Sequence, residues 1–431
     1  TYVCVLKASS IVKSIEVGED IDTQVRKQGL LQKNIVLGTA LVDMYFKCGK
    51  LDKAREVFEQ LPVRDVVSWN AMIAGYGLGE EALRCFRQMQ NEGVYPDVTS
   101  YICSLKACSI LGSLEFGQDI DAEVRKQGLL QKSIVLGTAL VDMYSKCGAL
   151  EKAQAVFQML PKQDPVSWNA LLTGYTQHGF GEEALKFFRQ MQDLGICPTA
   201  VTYICILKAC GIVGSLELGK DIDIQIRKQG LLQKDTELGT TLVGMYSKCG
   251  APKKAREAFE ELPAGDIMAW NSLIDGYAQL GQANMVLDMY MRMRSEGAEP
   301  NLITFTHFLS ACSHAGLLKE GEKLFNEMRA VYCLKPTLEH YTCMIDLFGR
   351  AGHLGKATSF LDEVSHSGYL PLFIAMLGAC RKSENMELGR WVFEKSVQLD
   401  ENCGRTYVCM ENIYAAAGFQ TEVDGIEAFS I

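Results

Sequence analysis

The sequence predicts an all-α protein built as a solenoid of stacked helix-turn-helix repeats. Apolar residues recur at i, i+3, i+4 and i+7 along the whole chain, while alternating apolar and polar runs are rare. A unit of about 100 residues occurs three times, with tryptophans at positions 69, 168 and 270. Such recurrence is typical of repeat proteins, so the 431 residues are expected to form one extended stack.

Composition narrows the classes of function. The formal net charge of −9 counts against a nonspecific nucleic-acid binder, because neutralising phosphates needs clustered Lys and Arg. The 16 cysteines lie inside helical patterns, which predicts reduced, buried thiols rather than a disulfide framework. No apolar run reaches the ~18 residues that span a bilayer, and no transit segment is seen. Because Thr1 falls inside a repeat, we expect that a natural N-terminal segment has been removed.

Each long unit divides into three hairpins of 36, 31 and 35 residues. In the hairpin that starts at Pro165, Trp168 and Tyr175 belong to the apolar stripe of a first helix, which Gly179 ends. A second amphipathic helix is predicted to begin near Gly181. Because one hairpin cannot bury both of its faces, we expect hairpins to stack into a superhelix with the first helices on its concave face.

The unequal lengths, with the motifs VSWNA, LVDMYxKCG and EEALxxFRQM, resemble the pentatricopeptide repeat family of plants, in the subclass that alternates P-type, L-type and S-type repeats. This resemblance implies a right-handed α-solenoid. About eleven repeats occupy residues 1–369, the first of them truncated: L-type at 1–34, 98–133, 200–235 and 302–337, S-type at 35–65, 134–164, 236–266 and 338–369, and P-type at 66–97, 165–199 and 267–301. Residues 370–431 resemble an E-type extension of degenerate helical hairpins, incomplete at the C-terminus.

The resemblance also implies a binding site for single-stranded RNA. In this family the fifth and last residues of a repeat read one base, and the second residue wedges against it, since unstacked bases expose their edges and faces. The implied pairs are Thr39 with Asp65, Thr138 with Asp164 and Thr240 with Asp266 for guanine, Asn70 with Asp97 for uracil, and Asn169 with Thr199 and Asn271 with Asn301 for a pyrimidine. The implied wedges are Val36, Val67, Val135, Val166, Val201 and Met268.

Other repeats depart from this scheme. The L-type repeats carry Val3, Ile102 and Ile204 at the fifth position, where no hydrogen bond to a base edge is possible. Glu237 and Glu339 stand at wedge positions, where phosphates would repel them. With the N-terminus toward the RNA 5′ end, the implied order is N-G-U-N-G-Y-N-G-Y.

Structural roles compete with these assignments. An Asn, Thr or Asp in the first turn of a helix is ordinarily a cap or a solvated residue, which applies above all to Asp65, Asp164 and Asp266. The tryptophans lie on apolar stripes, which favours core packing over base stacking. The motif RKQGLLQK, which begins at residues 26, 125 and 227, predicts solvated helix ends, with a phosphate track as the alternative.

Catalysis is not expected. The deaminase domain that follows the repeats in some relatives needs a His-x-Glu and a Cys-x-x-Cys around zinc, and neither motif occurs here. No catalytic residue, metal or cofactor is therefore predicted. The leading hypothesis is a specificity factor for C-to-U RNA editing in a mitochondrion or chloroplast, with the deaminase lost from this fragment or supplied by a partner protein. The alternatives are a protein scaffold in an organellar ribosome or polymerase, and an RNA stabilisation or splicing factor.

Overall fold

The computed structural model describes residues 2–77, 79–232, 234–263, 266–364, 369–400 and 403–417. In this part of the chain all regular secondary structure is α-helical, in 25 helices. None of these helices is both long and apolar enough to cross a membrane. The chain divides into two compact units, Thr1–Ile212 and Val213–Ile431.

The first unit consists of six hairpins and the helix that follows them. Its helices are α1 (Tyr2–Val12), α2 (Ile15–Lys27), α3 (Ile35–Lys47), α4 (Leu51–Glu59), α5 (Val66–Tyr76), α6 (Glu80–Asn91), α7 (Val98–Leu111), α8 (Leu114–Lys126), α9 (Ile134–Lys146), α10 (Leu150–Gln158), α11 (Pro165–Gln177), α12 (Gly181–Asp193) and α13 (Ala200–Val213), whose last residue belongs to the second unit.

The second unit repeats the arrangement. Its helices are α14 (Leu216–Lys228), α15 (Thr236–Lys248), α16 (Pro252–Glu260), α17 (Ile267–Gln279), α18 (Ala283–Ser295), α19 (Leu302–Ala315), α20 (Leu318–Ala330), α21 (Leu338–Arg350), α22 (Leu354–Val364), α23 (Leu370–Lys382), α24 (Met386–Leu399) and α25 (Gly404–Ala417).

Within each unit the helices form two layers. Successive first helices pack on each other, from α1 to α11 in the first unit and from α15 to α25 in the second. In the first unit each second helix from α2 to α10 contacts its own first helix and the first helix that follows it, and the second helices from α16 to α24 do the same in the second unit. The all-α repeat solenoid predicted from the sequence is thereby confirmed.

The three recurring tryptophans belong to the core of the hairpin stack. Trp69, Trp168 and Trp270 are 0%, 2% and 0% exposed. Each meets a phenylalanine of the preceding second helix edge to face, with ring centroids 4.7 Å, 4.7 Å and 4.6 Å from Phe58, Phe157 and Phe259. The prediction of core packing is correct, because a fully buried indole cannot stack on a base.

The first P-type hairpin is shorter than its sisters. Its first helix, α5, has 11 residues and ends at Tyr76 with Gly77 as its C-cap, whereas α11 has 13 residues. The deletion in GYGLGEEAL therefore shortens the first helix. In the sister hairpin, α12 begins at Gly181, as predicted.

The cysteines follow the prediction only in part. None of the 16 cysteines, all of which the structure describes, forms a disulfide bond. Six of them are buried, while Cys4, Cys197 and Cys333 are exposed. Three others, Cys48, Cys147 and Cys249, are half-buried at the C-caps of α3, α9 and α15. Helix ends and loops keep these thiols near solvent, which the apolar periodicity of the sequence does not show.

The arginine of each RKQGLLQK motif belongs to a polar cluster between helices. Arg125 Nε lies 2.8 Å from Asp121 Oδ1, and the buried Tyr144 hydroxyl donates to Asp121 Oδ2 at 2.8 Å. The same arrangement joins Arg26, Asp22 and Tyr45, and again Arg227, Asp223 and Tyr246. The clusters tie an L-type second helix to the following S-type first helix. They occupy the guanidinium groups, which weakens the alternative of a phosphate track.

Candidate nucleic-acid interface

The last residue of one implied repeat is the N-cap of the next first helix. Asp65, Asp97 and Asp164 accept hydrogen bonds from the main-chain N–H of Ser68, Ser100 and Ser167 at 2.8 Å, 2.8 Å and 2.9 Å. Asp266 caps α17 through Met268 N at 2.9 Å, and Asn301 caps α19 through Thr304 N at 3.0 Å. The capping role that the sequence left open is therefore real, and it fixes where each side chain lies.

In the three P-type repeats the fifth residue bonds directly to the last residue. Asn Nδ2 donates to the side-chain oxygen at 2.9 Å for Asn70 and Asp97, 3.0 Å for Asn169 and Thr199, and 3.4 Å for Asn271 and Asn301. The structure thus brings together residues about 30 positions apart, as the resemblance implied.

Asp97 keeps a negative charge at this surface. Burial alone would raise the pKa of its carboxyl, but hydrogen bonds from Ser100 and Asn70 outweigh that effect and lower the pKa. A carboxylate that accepts several N–H and O–H bonds is stabilised in its charged form. The Asn70 and Asp97 pair therefore differs electrostatically from the two neutral P-type pairs.

The S-type pairs lie at equivalent places. Thr240 Oγ1 donates to Asp266 Oδ2 at 2.7 Å. Thr39 and Thr138 are half-buried near the starts of α3 and α9. Asp65 and Asp164 are half-buried at the N-caps of α5 and α11. All three pairs thus combine a hydroxyl with a carboxylate that also caps a helix.

The implied wedge residues are apolar side chains facing solvent. Val36, Val67, Val135, Val166, Val201 and Met268 are 67%, 58%, 65%, 63%, 50% and 55% exposed. Each of the six first helices that carry them thus exposes one such apolar side chain. Because these side chains face solvent, they contribute little to the hydrophobic core. Glu237 and Glu339 occupy the same position in α15 and α21 and are also exposed.

One groove of about 650 Å³ in the first unit gathers these elements. It lies across the starts of α9, α11 and α13 and is lined by both members of the Asn169 and Thr199 pair and of the Thr138 and Asp164 pair. Three wedges, Val135, Val166 and Val201, line it as well. The L-type residue Ile102 adds apolar surface, and Lys106 adds one positive charge. The groove thus combines apolar faces with short polar groups.

The L-type fifth positions contribute no polar group. Ile204 is 6% exposed. The fourth L-type repeat differs, because Thr306 and Thr337 are joined through His340, which is fully buried. His340 Nδ1 accepts from Thr337 N at 3.1 Å, and Nε2 lies 3.0 Å from Leu302 O and 3.3 Å from Thr306 Oγ1.

The third residue of a repeat was not predicted from the sequence to belong to the site. Ser100, Thr202 and Thr304 have buried side chains that touch the P-type asparagines of the preceding repeat. Their signal is the capping-box pattern, an Asp, Thr or Asn followed three residues later by a hydroxyl.

Known proteins place the chain in a family. Family models match as "PPR repeat family" over 64–109, 163–211 and 265–314, "Pentatricopeptide repeat domain" over 297–351 and "PPR repeat" over 39–66, 138–164, 240–266 and 339–369. A putative pentatricopeptide repeat-containing protein of Arabidopsis thaliana is 36% identical over 98% of the chain and 76% of its own length. A second Arabidopsis relative, named chloroplastic, is 35% identical over 98% of the chain and 52% of its length. A third, named mitochondrial, is 33% identical over 98% and 70%.

A solved structure shares the fold. The pentatricopeptide repeat protein PPR10 from maize, in complex with an 18-nt psaJ RNA element, matches with a TM-score of 0.73 and 20% identity. The match covers 91% of the chain and 60% of PPR10. The chain spans between about half and three quarters of the length of these proteins. Sequence and structure together show that this chain belongs to the pentatricopeptide repeat family.

Proposed function

We propose that the chain binds single-stranded RNA and selects its sequence through the pairs at the fifth and last positions of its repeats. The groove across α9, α11 and α13 carries this proposal, because two such pairs and three wedges line one continuous surface. A base could rest between exposed valines while its edge meets the polar pair. The RNA complex of PPR10, a protein of the same fold, supports the same reading.

The proposed order of bases follows the pairs along the chain. Thr39, Thr138 and Thr240 with their aspartates would select guanine, whose N1–H and N2–H suit a carboxylate acceptor. Asn70 with Asp97 would select uracil, and the two neutral pairs would accept either pyrimidine. The L-type repeats would leave their bases unselected, which yields the order N-G-U-N-G-Y-N-G-Y.

The proposal extends to the role of the whole chain in the cell. Residues 1–369 would form the RNA-reading array, and α23 to α25 would belong to an extension that contacts a partner protein. Relatives named chloroplastic and mitochondrial support action in an organelle. There the chain would act without catalysis of its own, as a specificity factor for C-to-U editing with a deaminase-bearing partner.

The test is binding to a short RNA that carries the nine bases N-G-U-N-G-Y-N-G-Y, compared with RNAs in which one G, or the pyrimidine at the sixth base, is replaced by A. Each replacement is expected to weaken binding by about 1 kcal/mol or more. Asn169→Ala should remove the selection at the sixth base only. Thr23→Ala changes an exposed threonine on the second helix α2 and should have no effect. Equal, weak binding to all RNAs would overturn the proposal and favour the protein scaffold.

A further inference from the structure

Three buried hydroxyls sit behind the P-type asparagines. Ser100, Thr202 and Thr304 are each 0% exposed. Their hydroxyls donate to Oδ1 of Asn70, Asn169 and Asn271 at 2.6 Å, 2.7 Å and 2.7 Å. Each hydroxyl-bearing residue is the third residue of the next repeat after the one that contains the asparagine. The hydrogen bond therefore joins two consecutive repeats.

The main chain and the distances to the acceptors together favour one direction for these hydrogen bonds. Ser100 Oγ accepts from Asp97 N at 3.1 Å, Thr202 Oγ1 from Thr199 N at 2.9 Å, and Thr304 Oγ1 from Asn301 N at 3.1 Å. A backbone N–H can only donate, so each hydroxyl accepts it and turns its own proton away from it. The side chain of the last residue offers one acceptor, at 3.0 Å for Asp97 Oδ1 and Asn301 Oδ1 and 3.1 Å for Thr199 Oγ1. The asparagine amide oxygen is the nearer acceptor in all three repeats, at 2.6 Å, 2.7 Å and 2.7 Å. The hydroxyl therefore presents a donor to the asparagine.

The other end of each amide is also held. Asn Nδ2 donates one hydrogen to the last residue of its own repeat, for example to Asp97 Oδ1 at 2.9 Å. Rotating the amide of Asn70 by 180° would set Oδ1 against the Asp97 carboxylate. Two acceptors would then face each other without a proton. The amide is therefore held in one orientation from both sides.

We propose that the third residue of the following repeat is a positioning residue for base selection by the P-type repeats. It fixes the asparagine amide so that the second N–H of Nδ2 is the donor offered to a base. Uracil O4 and the cytosine acceptors O2 and N3 can accept that hydrogen, which suits a pyrimidine. The inference rests on the proposed function, which it extends from two residues per base to three.

The chain supplies its own matched comparison. Ser167 stands at the third position too, is 0% exposed, and forms the same capping box with Asp164. Its hydroxyl donates to the main-chain oxygen of Asp164 at 2.8 Å and not to a fifth residue. In the third long unit the equivalent residue is Ala269, which α17 accommodates. Alanine in place of Ser167 is therefore compatible with the fold.

The experiment compares Ser100→Ala with Ser167→Ala in the full chain. Binding is measured to the implied RNA and to versions with U replaced by A at the third base or G replaced by A at the fifth. Ser100→Ala is expected to reduce the discrimination at the third base about fivefold, the effect of one hydrogen bond. Ser100→Thr should restore it. Ser167→Ala should retain the discrimination at the fifth base, and adding Ser100→Ala to Asn70→Ala should cause no further loss at the third.

The outcomes separate the two proposals. A parent chain that does not distinguish U from A at the third base overturns the proposed function. Suppose instead that the parent distinguishes U from A. If Ser100→Ala then discriminates as well as the parent, or if Ser100→Ala and Ser167→Ala lose discrimination equally, only the positioning role is overturned. Melting curves by circular dichroism verify folding. If Ser100→Ala unfolds, Thr304→Ala with Thr304→Ser as its rescue provides the same comparison at the ninth base.

Discussion

At the scale of single residues, helix capping and the proposed base reading share the same side chains. Asp97 accepts from Ser100 N and from Asn70 Nδ2 through one oxygen, Oδ1. A change at a last position therefore alters both a helix N-terminus and the proposed recognition surface. Substitutions that preserve the cap are the ones that isolate recognition.

Thr199→Asp is such a substitution. It should convert the neutral pair with Asn169 into the arrangement that Asn70 makes with Asp97, and an aspartate remains a good N-cap. We expect the preference for U over C at the sixth base to rise by about 1 kcal/mol. Competition binding with RNAs differing only at that base measures it, with Thr199→Ser as control. An unchanged ratio of U to C affinity would show that the last residue does not choose between pyrimidines.

Wedge residues can be tested in both directions. Val166 is 63% exposed, so Val166→Glu should leave the melting temperature nearly unchanged. It should weaken RNA binding by about 1 kcal/mol or more, since it removes an apolar contact to a base and adds repulsion from phosphates. Glu237→Val should strengthen binding. If both variants bind RNA as the parent does, the second position does not contact the bases.

His340 makes stability depend on pH. Burial lowers the pKa of its imidazole, although the hydrogen bond to Leu302 O and the nearby Glu339 oppose that effect. In the unfolded chain the pKa of a histidine is about 6.5, so at any pH between the folded and the unfolded pKa the unfolded state binds more protons. Stability from this group is thus fully present above about pH 6.5 and falls as the pH drops toward the folded pKa.

The variant His340→Thr removes this titration and introduces the side chain found at the third position in α13 and α19. The loss of melting temperature between pH 7.5 and pH 5.5 should be smaller in this variant than in the parent. Equal losses in the two proteins would mean that carboxylates, not His340, cause the acid sensitivity.

At the scale of elements, neighbouring first helices approach closely at glycines. A Cβ on Gly174 of α11 would lie 2.4 Å from the Cβ of Ser145 on α9. The equivalent Gly276 of α17 would meet Ser247 of α15 at 2.5 Å. The glycine of each P-type Gly-Tyr pair thus sets the spacing between an S-type and a P-type helix.

Gly174→Ala should therefore push α9 and α11 apart and destabilise the first unit by about 1–3 kcal/mol. The control is Gly378→Ala in α23, where no atom lies within 4 Å of the added methyl group. There alanine should maintain or raise stability through its helix propensity. Thermal unfolding followed by circular dichroism distinguishes them. A Gly174→Ala protein that melts with the parent would show that the helices adjust without cost.

At the scale of the whole molecule, the net charge of −9 limits how RNA can be held. Several basic side chains are already paired with carboxylates, such as Arg125 with Asp121 and Lys146 with Asp142. In the proposed mode of binding, base contacts and apolar wedges would then supply much of the affinity for RNA. This separates the proposed mode from binding by a general basic surface.

The salt dependence of RNA binding tests this directly. Each phosphate neutralised contributes a slope of about −0.7 in log K against log salt for single strands. We expect a slope that corresponds to only a few phosphates for the nine-base target. Titrations over several salt concentrations measure it, with a scrambled RNA as control. A steep slope shared by both RNAs would instead indicate nonspecific electrostatic binding.

Local patterns in the sequence were sufficient for the architecture. Apolar periodicity, glycine stops and the threefold unit predicted the helical hairpins and the buried Trp69, Trp168 and Trp270, because each depends on residues within one or two turns of helix. The pairs at fifth and last positions came from the family resemblance, and their role in RNA reading stays a prediction. The sequence also led to the expectation of buried cysteines, which is correct for only six of the 16.

The sequence by itself thus determined the repeat and its core, because the patterns that predict them are local and recur along the chain. The tertiary structure decided which side chains meet across repeats. It joined the Tyr144 hydroxyl to Asp121, and it placed the Ser100 hydroxyl behind the Asn70 amide. Such contacts join residues 20 to 30 positions apart, and their geometry depends on how one hairpin stacks on the next.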